Sequence, residues 1–318
     1  MLARARVRPG EGAVRLPAYR WSKSLRRVLI AALLFQLLWV IGFLLFLLYP
    51  MVMTLYYSLT DYNILGTPQW VGLDNYRALL ADDQFFLALG NTSYLTLIGV
   101  PSGLIFAFLT ALLLNTKVKG MALWRTIYFL PAVMPPVAVS ILWLWIFNPS
   151  YGVVNAVLGF LHVPQPGWFA DPVWSKPAII LMGLWQVGAT TIIYLAALQG
   201  VPQNLYEAVE IDGGGWWAKL RHVTIPIVSP VTLFNLITGV IGSFQFFTQA
   251  YVAAGGAAGA PEGSLLFFVM YIYQNAFQYF KMGYASALSW ILFLIIMFCT
   301  IVLIWLSKRW TYYEAAAA

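Results

Sequence analysis

Six apolar segments, each long enough to cross a lipid bilayer, constrain this sequence more than any other feature. A hydrocarbon core about 30 Å thick requires roughly 20 apolar residues in a helix that rises about 1.5 Å per residue. Segments of that length are predicted at about 28–50, 92–114, 126–147, 178–199, 227–251 and 287–306. The sequence therefore predicts an all-α, polytopic membrane protein with about six transmembrane helices.

Charged residues are too scarce for a solvated globular surface. They make up 9% of the 318 residues, whereas soluble domains carry about 25%. The first apolar run is longer than the core of a signal peptide and lacks a small-residue cleavage site, so we interpret it as a membrane anchor. Cys299 is the one cysteine in the sequence, which excludes an internal disulfide and a cysteine metal cluster.

The distribution of positive charge predicts the orientation. Fifteen of the 18 Lys and Arg residues fall in the N-terminal tail, the second and fourth connections and the C terminus (eight, three, two and two). The positive-inside rule therefore places both termini in the cytoplasm. We expect a basic cytoplasmic tail at 1–27, a transmembrane domain at 28–306 that includes a loop at 200–226, and a cytoplasmic tail at 307–318. Because the excess alternates with every span, it indicates topology rather than nucleic-acid binding.

Two absences narrow the possible energy source. No charged residue lies well within a predicted span, whereas proton- and sodium-driven carriers usually hold ionisable groups there. No Gly-Lys dipeptide occurs, which excludes the phosphate-binding loop of many ATPases. If transport is driven by ATP, a partner has to hydrolyse it.

Uncharged polar residues occur inside two predicted spans. Their amides suit a neutral polyhydroxylated solute, although such residues also hydrogen-bond between packed helices. In the fifth span, small and polar residues recur every three or four positions, so one helix face lines either a neighbouring helix or a pathway. This face carries Asn235, Gly239, Gly242 and Phe246. The candidate substrate-pathway residues are Gln186, Asn235, Gln245 and Gln249.

The fourth connection, residues 200–226, has the pattern of a structured projection. Pro202 suits the first turn of a helix, and the run Asp212-Gly213-Gly214-Gly215 ends that helix in a tight turn. A second short amphipathic helix is predicted from about Trp216 to Val223, before Pro226 opens the fifth span. Two short helices around a glycine elbow would form a rigid knob.

The motifs of this connection resemble a known signature. Glu207-Ala208-Val209, Asp212-Gly213-Gly214 and Val223-Thr224-Ile225-Pro226 resemble the E-A-A, D-G-A and I-x-L-P segments of the inner-membrane permease subunits of binding-protein-dependent ATP-binding-cassette (ABC) importers. Val209 and Gly214 stand where that family usually has alanine. Stretches at 71–76, 147–155 and 283–289 resemble the carbohydrate-uptake branch, which includes the maltose-type and glycerol-3-phosphate-type first permease subunits.

The resemblance implies a multi-pass protein of a prokaryotic inner membrane that is not itself an enzyme. It implies a heterodimer with a second permease subunit, two ATPase subunits that bind ATP and Mg, no cofactor in this chain, and an extracytoplasmic solute-binding protein that delivers a sugar or polyol. The residues implied to contact the ATPase are Glu207, Ala208, Asp212, Gly213, Gly214 and Pro226.

Two alternatives from other classes stay open at this point. One is an ion-coupled secondary carrier, and the other is a polytopic membrane enzyme that uses Glu207, Glu210 and Asp212 to bind a metal. The sequence does not name the solute, so glycerol 3-phosphate also stays open.

Overall fold

The computed structural model describes residues 23–116 and 119–312, with side chains from Arg26 onward. Most of the two predicted tails and Lys117 lie outside these residues. The helices and strands have these bounds: α1 Lys23–Phe43, α2 Tyr49–Ser58, β1 Thr60–Asp61, β2 Gln69–Trp70, α3 Asp74–Leu80, α4 Asp83–Tyr94, α5 Val100–Leu114, α6 Met121–Phe129, α7 Pro136–Ile146, α8 Val153–Phe160, α9 Pro172–Trp185, α10 Gly188–Gln199, α11 Gln203–Ile211, α12 Trp216–Lys219, α13 Ile225–Phe244, α14 Thr248–Ala253, α15 Phe268–Tyr273 and α16 Met282–Ser307. Four π-helical turns, at Leu44–Leu48, Leu95–Gly99, Leu220–Thr224 and Gln274–Gln278, continue helices in these regions.

The described residues contain four to six candidate membrane spans. Four continuous helices are long and apolar enough to cross a membrane, namely Arg26–Ser58, Asp83–Leu114, Trp216–Phe244 and Met282–Ser307. Two further spans are bent pairs: Met121–Val133 with Pro136–Ile146 at 100°, and Pro172–Trp185 with Gly188–Gln199 at 48°. The predicted helical membrane fold is confirmed, with one short strand pair beside the helices, and the predicted count of six holds when each bent pair is one span.

The two bends have different physical origins. Pro135 and Pro136 cause the first, because a residue that precedes proline is forced into an extended conformation; Met134 and Pro135 have ψ values of 139° and 137°. The second bend, at Gln186–Val187, contains no proline. There a Cβ on Gly188 would lie 2.6 Å from the Tyr128 carbonyl oxygen, so α10 starts in close contact with the α6 backbone. The span predicted at 178–199 is thus bent at Gln186–Val187 and begins earlier, at Pro172.

The helices also extend beyond the apolar segments that predicted them. The second span begins at Asp83 rather than 92, and the last at Met282 rather than 287. The fifth runs from Trp216 to Phe244, not from 227 to 251. Hydropathy marks the part of a helix that lies in lipid, whereas hydrogen bonding extends the helix into the polar interface.

The chain divides into two compact units, Met1–Met53 and Thr54–Ala318. In the described part of the first unit, apolar side chains are exposed on every side, including Phe35 at 84% and Phe46 at 79%. Such a surface needs lipid or another protein to cover it.

The core of the second unit is centred on an irregular segment. Residues 254–267 contain no helix or strand, yet Leu265 and Phe267 are fully buried. The Asn91 side-chain amide donates to the carbonyl oxygens of Gly263 at 2.8 Å and Leu266 at 3.0 Å. The second half of the segment is thus an internal part of the bundle, whereas the first half has exposed residues at Gly255, Ala258 and Ala260.

Candidate functional site

The 200–226 connection contains one short helix, not two. The first predicted helix is confirmed as α11, which Pro202 precedes. The second is wrong: the helix that starts at Trp216 continues without interruption to Phe244. The π-helical turn Leu220–Thr224 comes just before Pro226 and accommodates its missing N–H group, so this proline does not end the helix.

Two glycines shape the turn between these helices, for different reasons. Gly213 has φ +79°, a left-handed conformation that costs other residues energy. Gly214 is restricted by space, because a Cβ there would lie 2.5 Å from Cγ1 of Val209. Its N–H also donates to the Val209 carbonyl oxygen at 2.8 Å. Val209 and Gly214, the two positions where the family usually has alanine, are therefore in direct contact.

Two side-chain contacts fasten α11 to the long helix. The hydroxyl groups of Tyr206 and Thr224 form a hydrogen bond of 3.1 Å. Lys219 forms an ion pair with Glu210. Sequence reasoning missed both contacts, because neither pair has a spacing that one continuous helix would bring together.

Most of the residues implied to contact the ATPase are exposed. Glu207, Ala208, Asp212 and Gly213 are exposed, and Gly214 and Pro226 are half-buried. Within the described ranges Glu207 forms no ion pair. Apolar side chains are also exposed beside it, with Ile211 at 86% and Trp217 at 74%. Exposed apolar groups around an unpaired charge are typical of a protein-binding surface.

A second feature is an open cavity of about 400 Å³ between α5, α9, α10 and α13. Two of the four predicted pathway residues, Gln186 and Asn235, line it. Gln245 and Gln249, which follow the end of α13 at Phe244, do not line it. The periodic face predicted for the fifth span lines the cavity at all four of its positions, Asn235, Gly239, Gly242 and Phe246.

Sequence reasoning missed several cavity residues. Gly183 and Thr238 line it; Thr238 lies three residues after Asn235 and four before Gly242, so the same helical periodicity could have found it. Thr190 and Ser243 line it too, whereas Thr191 is buried and bonds the Val187 carbonyl oxygen at 3.0 Å as a packing residue. No charged side chain is among the residues that line this cavity.

Comparison with known proteins identifies the family. Residues 99–311 match the family described as "Binding-protein-dependent transport system inner membrane component". The chain belongs to this family. The predicted membership is confirmed, and the protein is a multi-pass permease subunit of an ABC importer.

Relatives named as ABC transporter or sugar transport permeases match most of this chain. It is 37% identical over 96% of the chain to the "Probable ABC transporter permease protein YesP" of Bacillus subtilis, 98% of which is covered. It is 36% identical over 79% of the chain to the "Lactose transport system permease protein LacF" of Rhizobium radiobacter, with 85% covered. A solved bacterial alginate ABC transporter contains a chain with 25% identity and a TM-score of 0.77, over 90% of this chain and 96% of that one.

The permease has a third polar cluster, centred on Asp82 at the start of α4. Its carboxylate accepts hydrogen bonds from the hydroxyls of Tyr271 and Tyr284 and from the Gln84 N–H. Burial by itself raises the pKa of Asp82, but these bonds and that from the Phe85 N–H outweigh burial and hold it below its ordinary value of 3.8. The cluster ties α4, α15 and α16 together.

The acidic residues of the loop are not arranged as a metal site. Among the described residues, no group of three or more His, Cys, Asp or Glu side chains is placed to hold a metal ion. Glu210 is instead paired with Lys219. This geometry gives no support to the membrane-enzyme alternative.

Proposed function

We propose that this permease subunit translocates a sugar or related polyol that an extracytoplasmic binding protein delivers. The names of its relatives support a sugar, since they include permeases for lactose, trehalose/maltose and arabinooligosaccharides. The solved alginate transporter was crystallised with an alginate-bound periplasmic protein, which supports a binding-protein partner.

One observation carries the mechanism. A single helix of 29 residues, Trp216–Phe244, begins within the 200–226 loop and ends among the residues of the cavity. Its first half contacts α11 through Thr224 and Lys219, and its second half contributes Asn235 to the cavity wall. A displacement of α11 would therefore move the Trp216–Phe244 helix as a rigid body, and with it the part of the cavity wall that this helix forms.

The 200–226 loop is the proposed ATPase-binding element. Both chain termini and this loop face the cytoplasm of a prokaryotic inner membrane, as the charge distribution indicates. Two partner ATPase subunits bind ATP and Mg, and a second permease subunit completes the pathway. Glu207 pairs with a basic ATPase residue, and Asp212 and Gly213 form the adjoining contact together with Ala208, Gly214 and Pro226.

The cavity is the proposed pathway surface. Gln186 and Asn235, which both line it, carry amide groups suited to a polyhydroxylated solute. Gln245 and Gln249, which lie beyond the end of α13, stay predictions for a separate part of the pathway.

Replacement of Gly213 by Asp tests the coupling role. No atom lies within 4 Å of a Cβ placed there, so we expect the fold to persist at a penalty of about 1–2 kcal/mol for the left-handed backbone. The new carboxylate would add a charge and extra volume at the closest contact with the ATPase subunit and block its approach. We expect loss of solute-stimulated ATP hydrolysis by the reconstituted importer, with the thermal unfolding temperature nearly unchanged.

Gly213→Ala is the matched control, because it has the same backbone penalty without the charge. Unaltered stimulation in Gly213→Asp would refute the coupling role. Co-purification of the chain with an ATPase subunit separates an ABC importer from an ion-coupled carrier or an isolated membrane enzyme. Thermal-shift screening of sugars against the cognate binding protein identifies the solute.

A further inference from the structure

The sixth span is one continuous helix. Between Met282 and Ser307, α16 contains no proline and runs without interruption. Its 26 residues extend over about 39 Å at about 1.5 Å per residue, which exceeds the hydrocarbon core of a bilayer. Sharp kinks arise at prolines or at other breaks in the hydrogen-bond ladder. We therefore expect this helix to move as a rigid body.

The residues that follow α16 bond it to the fifth span. The N–H of Tyr312 donates to the Oγ of Ser229 at 2.9 Å. Ser229 is 4% exposed, and its hydroxyl in turn donates to the Pro226 carbonyl oxygen at 2.6 Å. Tyr312 and Leu205 of α11 line the same cavity, of about 460 Å³. The chain after α16 is thus bonded within one turn of the end of the 200–226 loop.

This connection is itself held to the helix. The N–H groups of Trp310 and Thr311 both donate to the Ser307 carbonyl oxygen, at 3.0 and 2.8 Å. The turn therefore continues the hydrogen bonding of α16 almost to Tyr312. A displacement of Ser229 would act on the helix through this bonded turn.

The other end of α16 is fixed by the Asp82 cluster and by β1. The Tyr284 hydroxyl donates to the Asp82 carboxylate. The Gly283 N–H donates to the Tyr62 carbonyl oxygen at 3.1 Å, and a Cβ on Gly283 would lie 2.0 Å from the Thr60 carbonyl oxygen. Because the helix end is in such close contact, it has little room to shift without moving Asp82 and α4 with it.

Between its ends, α16 packs against the fifth span. Ala287, Leu288 and Leu292 belong to the same buried cluster as Val240 and Phe244 of α13. Ala287 and Leu288 are completely shielded from solvent. Close-packed interiors transmit strain because they are only slightly compressible. The two helices are therefore bonded at one end and packed together toward the other.

We propose that α16 carries the movement of the 200–226 loop to the Asp82 cluster on the external side, with Ser229 and Tyr284 as the positioning residues at its two ends. This inference rests on the proposed function, in which the ATPase subunits move the loop. Coupling between two binding sites is reciprocal. A binding protein that favours one position of the cluster would therefore change the nucleotide affinity of the ATPase subunits through the same helix.

The first experiment asks whether nucleotide bound inside changes the outer end of α16. The complete importer is placed in lipid nanodiscs, and Lys281→Cys, at the exposed residue before α16, is the reporter in a Cys299→Ser background. We expect Mg–AMP-PNP, an ATP analogue that is not hydrolysed, to change the rate at which a soluble maleimide labels this chain at least about threefold. Ser229→Ala should abolish that change, and Tyr312→Pro, which removes the N–H donor, should do the same.

Ser307→Ala is the matched control for Ser229→Ala. Ser307 is also buried, at 2% exposed, but its hydroxyl bonds the Ile304 carbonyl oxygen of its own helix at 2.7 Å. The control should therefore keep the response to nucleotide. Thermal unfolding of each variant is measured in parallel. It should stay nearly unchanged in Ser229→Ala, because Tyr312 is exposed and its N–H can bond water instead.

The second experiment tests the outer end with a reporter on α4. Gln84→Cys, at an exposed position, is labelled in the same way. Tyr284→Phe should abolish its response to Mg–AMP-PNP. Tyr271→Phe should retain it, because that hydroxyl bonds the same Asp82 carboxylate from α15 rather than from α16.

Three results would overturn the inference. They are a full response to nucleotide in Ser229→Ala, an equal loss in Ser307→Ala, and an equal loss in Tyr271→Phe and Tyr284→Phe. ATP hydrolysis by the same nanodiscs separates this failure from failure of the proposed function. Hydrolysis that the loaded binding protein stimulates, without any change in labelling, would refute the role of α16 alone, whereas absence of stimulated hydrolysis would refute both.

Discussion

Val209 and Gly214 are each unusual for the family signature, and their contact explains why both occur. The extra methyl groups of Val209 occupy the space into which a side chain at Gly214 would extend, at 2.5 Å. Alanine at 209 beside Gly214 would leave a gap, and alanine at 214 beside Val209 would overlap with it. Together they preserve the packing of the turn that Gly213 begins.

Gly214→Ala should destabilise the protein by about 1–3 kcal/mol, as expected when a methyl group is forced into a packed site. Val209→Ala in the same chain should recover part of the loss, because it removes the Cγ1 contact. Recovery will be incomplete, since the Val209 carbonyl oxygen still lies 2.9 Å from the added Cβ. Thermal unfolding of the single and double variants measures the coupling, and strictly additive effects would contradict the explanation.

Asp82 predicts a specific dependence of stability on pH. Because its pKa in the fold lies below the ordinary value of 3.8, its carboxylate stabilises the protein above that pH and the contribution disappears as the pH falls through the folded value. Burial and the adjacent Asp82 raise the pKa of Tyr271 to about 12, so its hydroxyl is a donor at neutral pH.

Asp82→Asn should therefore lower the thermal unfolding temperature at pH 7, and its difference from the wild type should shrink below pH 3.8. Circular dichroism of the detergent-solubilised protein measures both. Asp83→Asn, a change at an exposed neighbour, is the control. A difference that stays constant across this pH range would show that the charge of Asp82 has no such role.

Among the secondary-structure elements, α11 is joined to the fifth span by a hydrogen bond and an ion pair between side chains. The Tyr206–Thr224 hydrogen bond is largely shielded from solvent, since Thr224 is 4% exposed. The Glu210–Lys219 pair is more open, with side-chain exposures of 61% and 24%. Surface pairs of this kind contribute about 0–1 kcal/mol, so the hydroxyl contact is expected to dominate.

Tyr206→Phe should cost about 0.5–1.5 kcal/mol of stability and lower the number of solute molecules imported per ATP hydrolysed. The reason is that α11 could then move without displacing the Trp216–Phe244 helix. Thr224→Val keeps the branched shape and should have the same effect on coupling, with no further loss in the double variant. Glu210→Gln, which removes the more exposed ion pair, is the control variant. If it lowered coupling more than Tyr206→Phe does, the ion pair rather than the hydroxyl contact would be the dominant link.

Over the whole molecule, the proposed topology predicts which surfaces are accessible from each side. Cys299 is the one cysteine of the sequence, so Cys299→Ser provides a background for single-cysteine labelling. In intact spheroplasts, a membrane-impermeant maleimide should label Leu65→Cys, at a site that is 93% exposed, before permeabilisation. Ala208→Cys, on the 200–226 loop, should react only afterwards. The reverse labelling pattern would show that the 200–226 loop faces the outside, contrary to the proposed topology.

The sequence alone determined the membrane class, the number of apolar segments and the family, because hydropathy and short motifs are local properties. It also identified the periodic face of the fifth span, since 3.6-residue periodicity survives folding. The tertiary structure decided where spans bend and which polar groups meet. The break at Gln186 depends on contact between Gly188 and α6, and the Lys176–Asn91 pair joins residues 85 positions apart. No local pattern encodes such contacts, which form when separate helices pack.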